Sequence, residues 1–274
     1  MLNKIFKSLL VLVVCLCAAT LAGCGSKDPV IADDAKKIVV AASPTPHALI
    51  LEQCKPLMEA KGYELEIKEF TDYVQPNLAT ENGDVDANYF QHTPYLEEFN
   101  ELNDTHLVSV GGVHYEPFGI YAGKKADLNT KTGLKIAVPN DGTNEARALL
   151  LLEQEGFIKL KEGVGLSATK LDIEDNKGNE IVELEAAAIA STRQDNDLVV
   201  LNGNYALAAE LTVNDALAIE GVNSLAADTY VNILVVHECN KDKAIVKALL
   251  ECLQSETIKK YIQDTFEGSV VPKF

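Results

Sequence analysis

The chain has 274 residues, 47% of them hydrophobic, and a formal net charge of -17. That length allows one large or two smaller domains, and the apolar content supports a packed core rather than wholesale disorder. The charge argues against a nucleic-acid binder, which needs clustered Lys and Arg to release counterions, and against broad adsorption to anionic lipid.

The first residues form a targeting segment. Lys4 and Lys7 precede the apolar run SLLVLVVCLCAATL, which is short for a transmembrane span and fits a secretory signal. The run leads into LAGC, residues 21–24, which resembles a bacterial lipoprotein box. That resemblance implies a signal peptide over 1–23, lipidation of Cys24, and a protein held on the extracytoplasmic face of the cell membrane. Residues 24–37 then read as a polar tether. Cys15 and Cys17 leave with the signal, so Cys54, Cys239 and Cys252 remain; their spacing fits no zinc motif. One disulfide with a free thiol, or three buried thiols, are both open.

KIVVAA (37–42) reads as a strand, followed by the loop SPTPH. Ile50, Leu51, Cys54, Leu57 and Met58 have helical spacing, with a kink or break expected at Pro56 and a stop at Gly62. YELEIKEF alternates as a strand, which completes a β-α-β unit. GDVDANYF is a further short strand. Thr93 and Pro94 predict a helix start, with Thr93 as N-cap and Pro94 at its first position. HLVSVGGV and PFGIYAG continue as strands. A second α/β module begins near Leu134, with strand KIAVP, loop NDGTN and helix EARALLLLEQEG. IVELEA, a helix over 187–194, LVVLNGN and YALAAEL extend the alternation. YVNILVVHE is a buried-type strand, and the final segment is helical with a break near Ser255. Two lobes with crossovers follow, the last segment returning to the first lobe. A ligand cleft lies outside the carboxyl ends of the strands.

Only two cations are arginines, Arg147 and Arg193. Arg147 follows strand KIAVP near a helix start, with Thr143 or Asn144 as the expected N-cap. A cation opposes the positive end of the helix dipole unless an anion docks there. Backbone N–H groups and a guanidinium would then share a carboxylate; the alternative is an ion pair with Glu145 or another carboxylate. Asn202 and Asn204 sit at a comparable strand-to-helix junction, as caps or as ligands for charged groups. Asn232 opens an apolar strand and needs a partner if buried. Tyr73, Phe90, His92 and Tyr95 could line a recess suited to a thioether, with core packing the rival reading for Phe90. The histidines at 47, 92, 106, 114 and 237 are scattered, so no metal site is expected. His114 and Glu116 are close in sequence, but no nucleophile or carboxylate pair completes an enzyme mechanism.

The blocks SPTPHA, FTDYVQPN, GDVDANYFQHTPYL, IAVPNDGTNEARALLLLE, LNGNYAL, YVNILVV and GSVVPKF together resemble the NlpA/MetQ family of methionine-binding lipoproteins of bacterial ABC importers. The resemblance spans nearly everything after Ile38. It implies an α/β, two-lobed periplasmic-binding-protein fold, here type II-like, with 38–121 plus 233–274 as lobe 1 and 122–232 as lobe 2. It implies no enzyme activity, no cofactor and no metal. The expected partners are methionine and an ABC permease with its cytoplasmic ATPase; the receptor is expected to be a monomer. Carried over by position, Tyr73, Phe90, His92 and Tyr95 form the aromatic wall. Asn144, Arg147, Asn202 and Asn232 hold the α-carboxylate and amino group. Similar proteins accept L-methionine, D-methionine or a methionine peptide. One departure is Gly142, where relatives commonly have proline, which is expected to loosen that loop. The alternative readings are an adhesin-like interaction protein and a metal-binding receptor.

Overall fold

The computed structural model describes residues 28–221 and 225–274. The signal peptide expected over 1–23 and the lipidation expected at Cys24 lie outside the described residues. The first half of the chain forms β1 (Lys37–Ala42), α1 (Leu49–Ala60), β2 (Glu64–Glu69), α2 (Gln75–Glu81), β3 (Ala87–His92), α3 (Thr93–Asn103) and β4 (Leu107–Tyr115). Next come β5 (Gly119–Ala122), β6 (Lys135–Pro139), α4 (Gly142–Gln154), β7 (Lys159–Leu160), β8 (Ile173–Asp175) and β9 (Glu180–Leu184). The chain continues through α5 (Ala186–Ile189), β10 (Leu198–Leu201), α6 (Gly203–Ala208) and β11 (Ala216–Ile219). It closes with α7 (Leu225–Thr229), β12 (Asn232–His237), α8 (Ala244–Leu253), α9 (Glu256–Phe266) and β13 (Val271–Pro272).

Two large sheets result. The first runs β13-β4-β12-β3-β1-β2 and the second β11-β5-β10-β6-β9. Each contains a parallel triplet, β2-β1-β3 in one and β9-β6-β10 in the other. Each triplet is extended by an antiparallel strand next to a crossover, β12 in the first and β5 in the second. This is the two-lobed binding-protein fold. The lobe boundary differs from the expected one at 121/122. β5 pairs with β10 from Gly119↔Leu201 to Ala122↔Leu198, so it belongs to lobe 2 and the first crossover falls at 116–118. The return crossover ends where Asn232 pairs with His92.

Each lobe has its own core. Ile38, Val40, Ile50, Leu51, Met58, Leu249 and Ile262 fill lobe 1; Ile136, Val138, Leu149, Leu152, Phe157 and Val200 fill lobe 2. Each such side chain contributes about 1.5–3 kcal/mol on burial. α1 runs through Pro56 without ending there, and the helix expected over 187–194 is only α5 with a following 3-10 turn. Cys54 and Cys252 are buried thiols, Cys239 is half-buried, and none of the three is in a disulfide. The tether is shorter than expected. Ile31 is buried in the lobe 1 core, its N–H donates to Asn240 Oδ1 at 2.8 Å, and Asn240 Nδ2 donates to the Pro29 carbonyl at 2.6 Å.

Candidate ligand-binding site

A cavity lies between the lobes, off the carboxyl ends of β3 and β10. All eight residues singled out in the sequence line it: Tyr73, Phe90, His92 and Tyr95 from lobe 1, Asn144, Arg147 and Asn202 from lobe 2, and Asn232 at the return crossover.

One wall is aromatic. Phe90 and Tyr95 pack edge to face with centroids 6.1 Å apart, and Tyr73 stands 5.7 Å from each. Tyr205 of α6 closes over Tyr73 at 4.9 Å. β3 is buried on both faces because it is a central strand, so Phe90 serves both the core and the cavity. His92, not Thr93, is the N-cap of α3: its Nδ1 accepts the Tyr95 N–H at 3.2 Å. An extended residue with a side-chain acceptor is what a helix start requires, and the imidazole fills that role. The same ring packs against Tyr230 at 4.9 Å, and its Nε2 lies 3.3 Å from Asn144 Oδ1 across the cleft. Burial, with the Arg147 charge second, pushes its pKa down to about 3, so it is neutral at pH 7.

The opposite end is polar. Asp141 caps α4 through a 3.0 Å bond from the Asn144 N–H, which moves the expected cap two or three residues earlier and puts Arg147 in the second turn. Arg147 is buried and already paired. Its Nε donates to both Glu220 oxygens at 2.9 Å, and its Nη2 donates to Glu220 Oε2 at 2.6 Å and to the Glu116 carbonyl at 3.0 Å. Of the two readings open for Arg147, the ion pair with another carboxylate is present: Glu220 occupies one edge of the guanidinium, leaving Nη1 unbonded to Glu220 or Glu116. Phe118 and Tyr230 lie against its face at 4.7 and 4.3 Å.

Asn144 and Asn202 are linked, since Asn202 Nδ2 donates to Asn144 Oδ1 at 2.8 Å. That bond fixes the amide orientation and leaves Asn202 Oδ1 buried with no hydrogen-bond partner among the described residues. An orphaned acceptor on a cavity wall fits a ligand N–H donor. Glu116, set aside in the sequence, is the carboxylate of this cavity. Its Oε1 is 2.7 Å from His114 Nε2 and 3.4 Å from His47 Nε2, and His47 Nε2 also meets Asn232 Oδ1 at 2.8 Å. His114 Nδ1 is in turn hydrogen-bonded to the Tyr89 hydroxyl. Burial pushes His47 down to about 4 and His114 down to about 3, so both are neutral hydrogen-bond partners at pH 7. Burial also raises the Glu116 pKa, against the pull of His47 and Arg147. Gly203 permits this packing, because a Cβ there would stand 2.6 Å from the Glu116 Cβ.

Several contacts hold the lobes together. Tyr73 OH donates to Asn204 Oδ1 at 2.5 Å, and Tyr205 OH to the Thr71 carbonyl at 3.2 Å. Glu98 of α3 reaches the start of α4, where its carboxylate faces the backbone at Gly142 and Thr143. A Cβ on Gly142 would meet Glu98 Oε1 at 2.2 Å. Glycine at 142 makes room for a carboxylate from the other lobe. Sequence reasoning missed Glu220, Glu98 and Tyr205: the first two lie outside the quoted blocks, and Tyr205 lies within LNGNYAL, where the asparagines drew the attention. It also missed the Asn77–Asn88–Gln91 network behind β3, whose members are joined by bonds of 2.5–3.0 Å.

The NlpA lipoprotein family model matches residues 38–274. The methionine-binding lipoprotein MetQ of Bacillus subtilis is 40% identical over 277 aligned residues, covering 98% of each chain. A putative lipoprotein from Ruminococcus gnavus is similar in structure, with a TM-score of 0.86, 57% identity, and coverage of 88% of this chain and 100% of that one. A nutrient binding protein from Burkholderia cenocepacia, solved bound to methionine, gives a TM-score of 0.82 at 41% identity, covering 86% and 100%. A match over the whole folded part of the chain, to relatives sharing its two-lobed architecture, places it by descent: the chain belongs to the NlpA lipoprotein family.

Proposed function

We propose that this protein is an extracytoplasmic, lipid-anchored receptor that captures methionine and passes it to an ABC importer. The observation that carries the reading is a cavity with a thioether-suited aromatic wall at one end and both signs of charge at the other. Tyr73, Phe90, His92 and Tyr95 would hold the methyl-thioether, which packs well against ring edges. The α-carboxylate would meet Arg147 Nη1 and the amides of Asn144 and Asn202. The ammonium would sit between Glu116 and the free Oδ1 of Asn202, with Asn232 holding His47 in place behind. Naming of relatives as methionine-binding lipoproteins, and the methionine-bound Burkholderia structure, support the same ligand. A solved relative described as an ABC transporter periplasmic substrate-binding protein supports the transport role. In this reading Cys24 carries the lipid, the receptor acts as a monomer, its partner is a permease with a cytoplasmic ATPase, and no bond in the ligand is made or broken.

The test is isothermal calorimetry with L-methionine on protein that has been unfolded and refolded to strip carried-over ligand. D-methionine and methionyl dipeptides serve as competitors. Saturable binding with one site is expected. No binding of any of these at millimolar concentration refutes the proposal.

A further inference from the structure

Four segments far apart in sequence bring a second set of polar side chains together at the other end of the lobe 1 sheet. Asn232 starts β12 at the cavity and His237 ends it, so the two ends are about 17 Å apart by strand rise. At the far end, His237 pairs in register with Leu107, and the Glu238 N–H donates to the His106 carbonyl at 2.9 Å. His106 and His237 therefore sit side by side on adjacent strand ends, with ring centroids 6.0 Å apart. Glu81, the last residue of α2, reaches both. Its Oε2 is held by the His106 N–H at 2.8 Å, which leaves Oε1 facing the two imidazoles, 2.9 Å from His106 Nδ1 and 3.9 Å from His237 Nε2.

We propose that Glu81, His106 and His237 form a binding site for a divalent transition-metal cation of the zinc class. The three ligand atoms all lie within 4.8 Å of one another. Tetrahedral zinc at about 2.0–2.1 Å from each ligand needs separations of about 3.3 Å, so the set closes with shifts of about 1 Å. The His106 side chain is 55% exposed and free to make that shift, while Glu81 and His237 are the more buried, fixed members. Two imidazoles and one carboxylate with an open position are a donor set for borderline cations rather than for Ca²⁺ or Mg²⁺. His237 Nδ1 accepts the Cys239 N–H at 3.4 Å and lies 3.0 Å from Cys239 Sγ; with Nε2 on a metal, Nδ1 would carry the proton and donate to Sγ in place of the backbone bond. The site opens to solvent through a depression lined also by Asp28 and Glu238, whose charges favour a cation and give it a path in. The loop carrying His106 is built firmly: Asn100 Nδ2 donates to the Leu107 carbonyl at 2.8 Å, and Asn100 Oδ1 accepts from Thr105 Oγ1 at 2.8 Å. The metal would cross-link the end of α2 to β4 and β12.

The experiment titrates ZnCl₂ into the purified full-length, untagged protein in detergent after EDTA treatment. One bound equivalent is expected, with affinity falling at least about 10-fold in both His106→Ala and Glu81→Gln. Neither residue lines the ligand cavity, so both variants should retain the parent's methionine binding, which also reports their folding. Crystals soaked in zinc should show an anomalous peak between the three side chains. No zinc binding at about 0.1 mM, unchanged zinc affinity in both variants, or an anomalous peak only elsewhere would overturn the site.

Discussion

Replacing Glu116 by Gln tests the assignment of the ammonium subsite with almost no change of shape. Glu116 is 5% exposed, and its nearest neighbours, His114 and His47, are neutral at pH 7. The guanidinium of Arg147 touches only the Glu116 carbonyl and spends its charge on Glu220. A ligand ammonium is then the cation that settles the carboxylate in its ionised form. Removing one partner of a buried, hydrogen-bonded charge pair costs about 2–5 kcal/mol, or roughly 30- to 4,000-fold in Kd. Calorimetry should therefore show a large loss for L-methionine in Glu116→Gln. The desamino analogue 4-(methylthio)butanoate lacks the ammonium, and its affinity should be unchanged or improved. This pair of ligands separates lost charge from lost packing in the manner of a double-mutant cycle. Unchanged methionine affinity, or an equal loss for both ligands, would refute the reasoning.

Two further outcomes follow from the cleft. Gly142→Ala should push the flexible Glu98 carboxylate away from the start of α4 and weaken that contact between the lobes. The lost contact is half-exposed, so the expected cost is about 0.5–1.5 kcal/mol, roughly 2- to 12-fold in methionine Kd; parent-like affinity would show that this contact does not contribute to closure. His92→Asn keeps a capping acceptor and removes a buried imidazole. Because the folded His92 pKa is about 3 and the unfolded value near 6.5, the unfolded chain binds the extra proton between those pH values. The stability tied to His92 is thus full above pH 6.5 and is lost as pH falls toward 3. Urea melts of the variant should fall less steeply than the parent between pH 6.5 and 4, by up to about 1.4 kcal/mol per pH unit, and parallel curves would contradict the assignment.

The strands and long helices were legible because their apolar spacing is regular, as in KIVVAA and EARALLLLEQ. The eight cavity residues were legible partly from chemistry and partly from family blocks. Arg147 shows the limit. Its place near a helix start pointed to an anion, but the anion within reach is Glu220, 73 residues away in the chain. The pairing depends on how the return crossover lies over α4, which no local pattern encodes. Glu116 is a similar case. Its neighbours His47 and His114 come from the loop after β1 and from β4, and only the sheet order brings them to one point. Caps were misplaced for a local reason: His92 and Asp141 compete with the more familiar Thr93 and Asn144, and backbone angles decide between them.

The docking of residues 29–33 onto lobe 1 sets how far this receptor can wander. Pro29 and Ile31 are bonded to Asn240, and Asp33 pairs with Lys243 at 2.7 Å. With Cys24 as the proposed anchor, four residues lie between it and the first docked one, Pro29, a distance of five residue steps. Fully extended, those five steps span at most about 18 Å. On that anchor, the docked end of lobe 1 would be held close to the bilayer. Confinement to such a thin layer raises the local concentration of receptor at a membrane partner and turns its search into a two-dimensional one. Inserting a flexible segment between Cys24 and Asp28 would dilute the receptor at the membrane without touching the cleft.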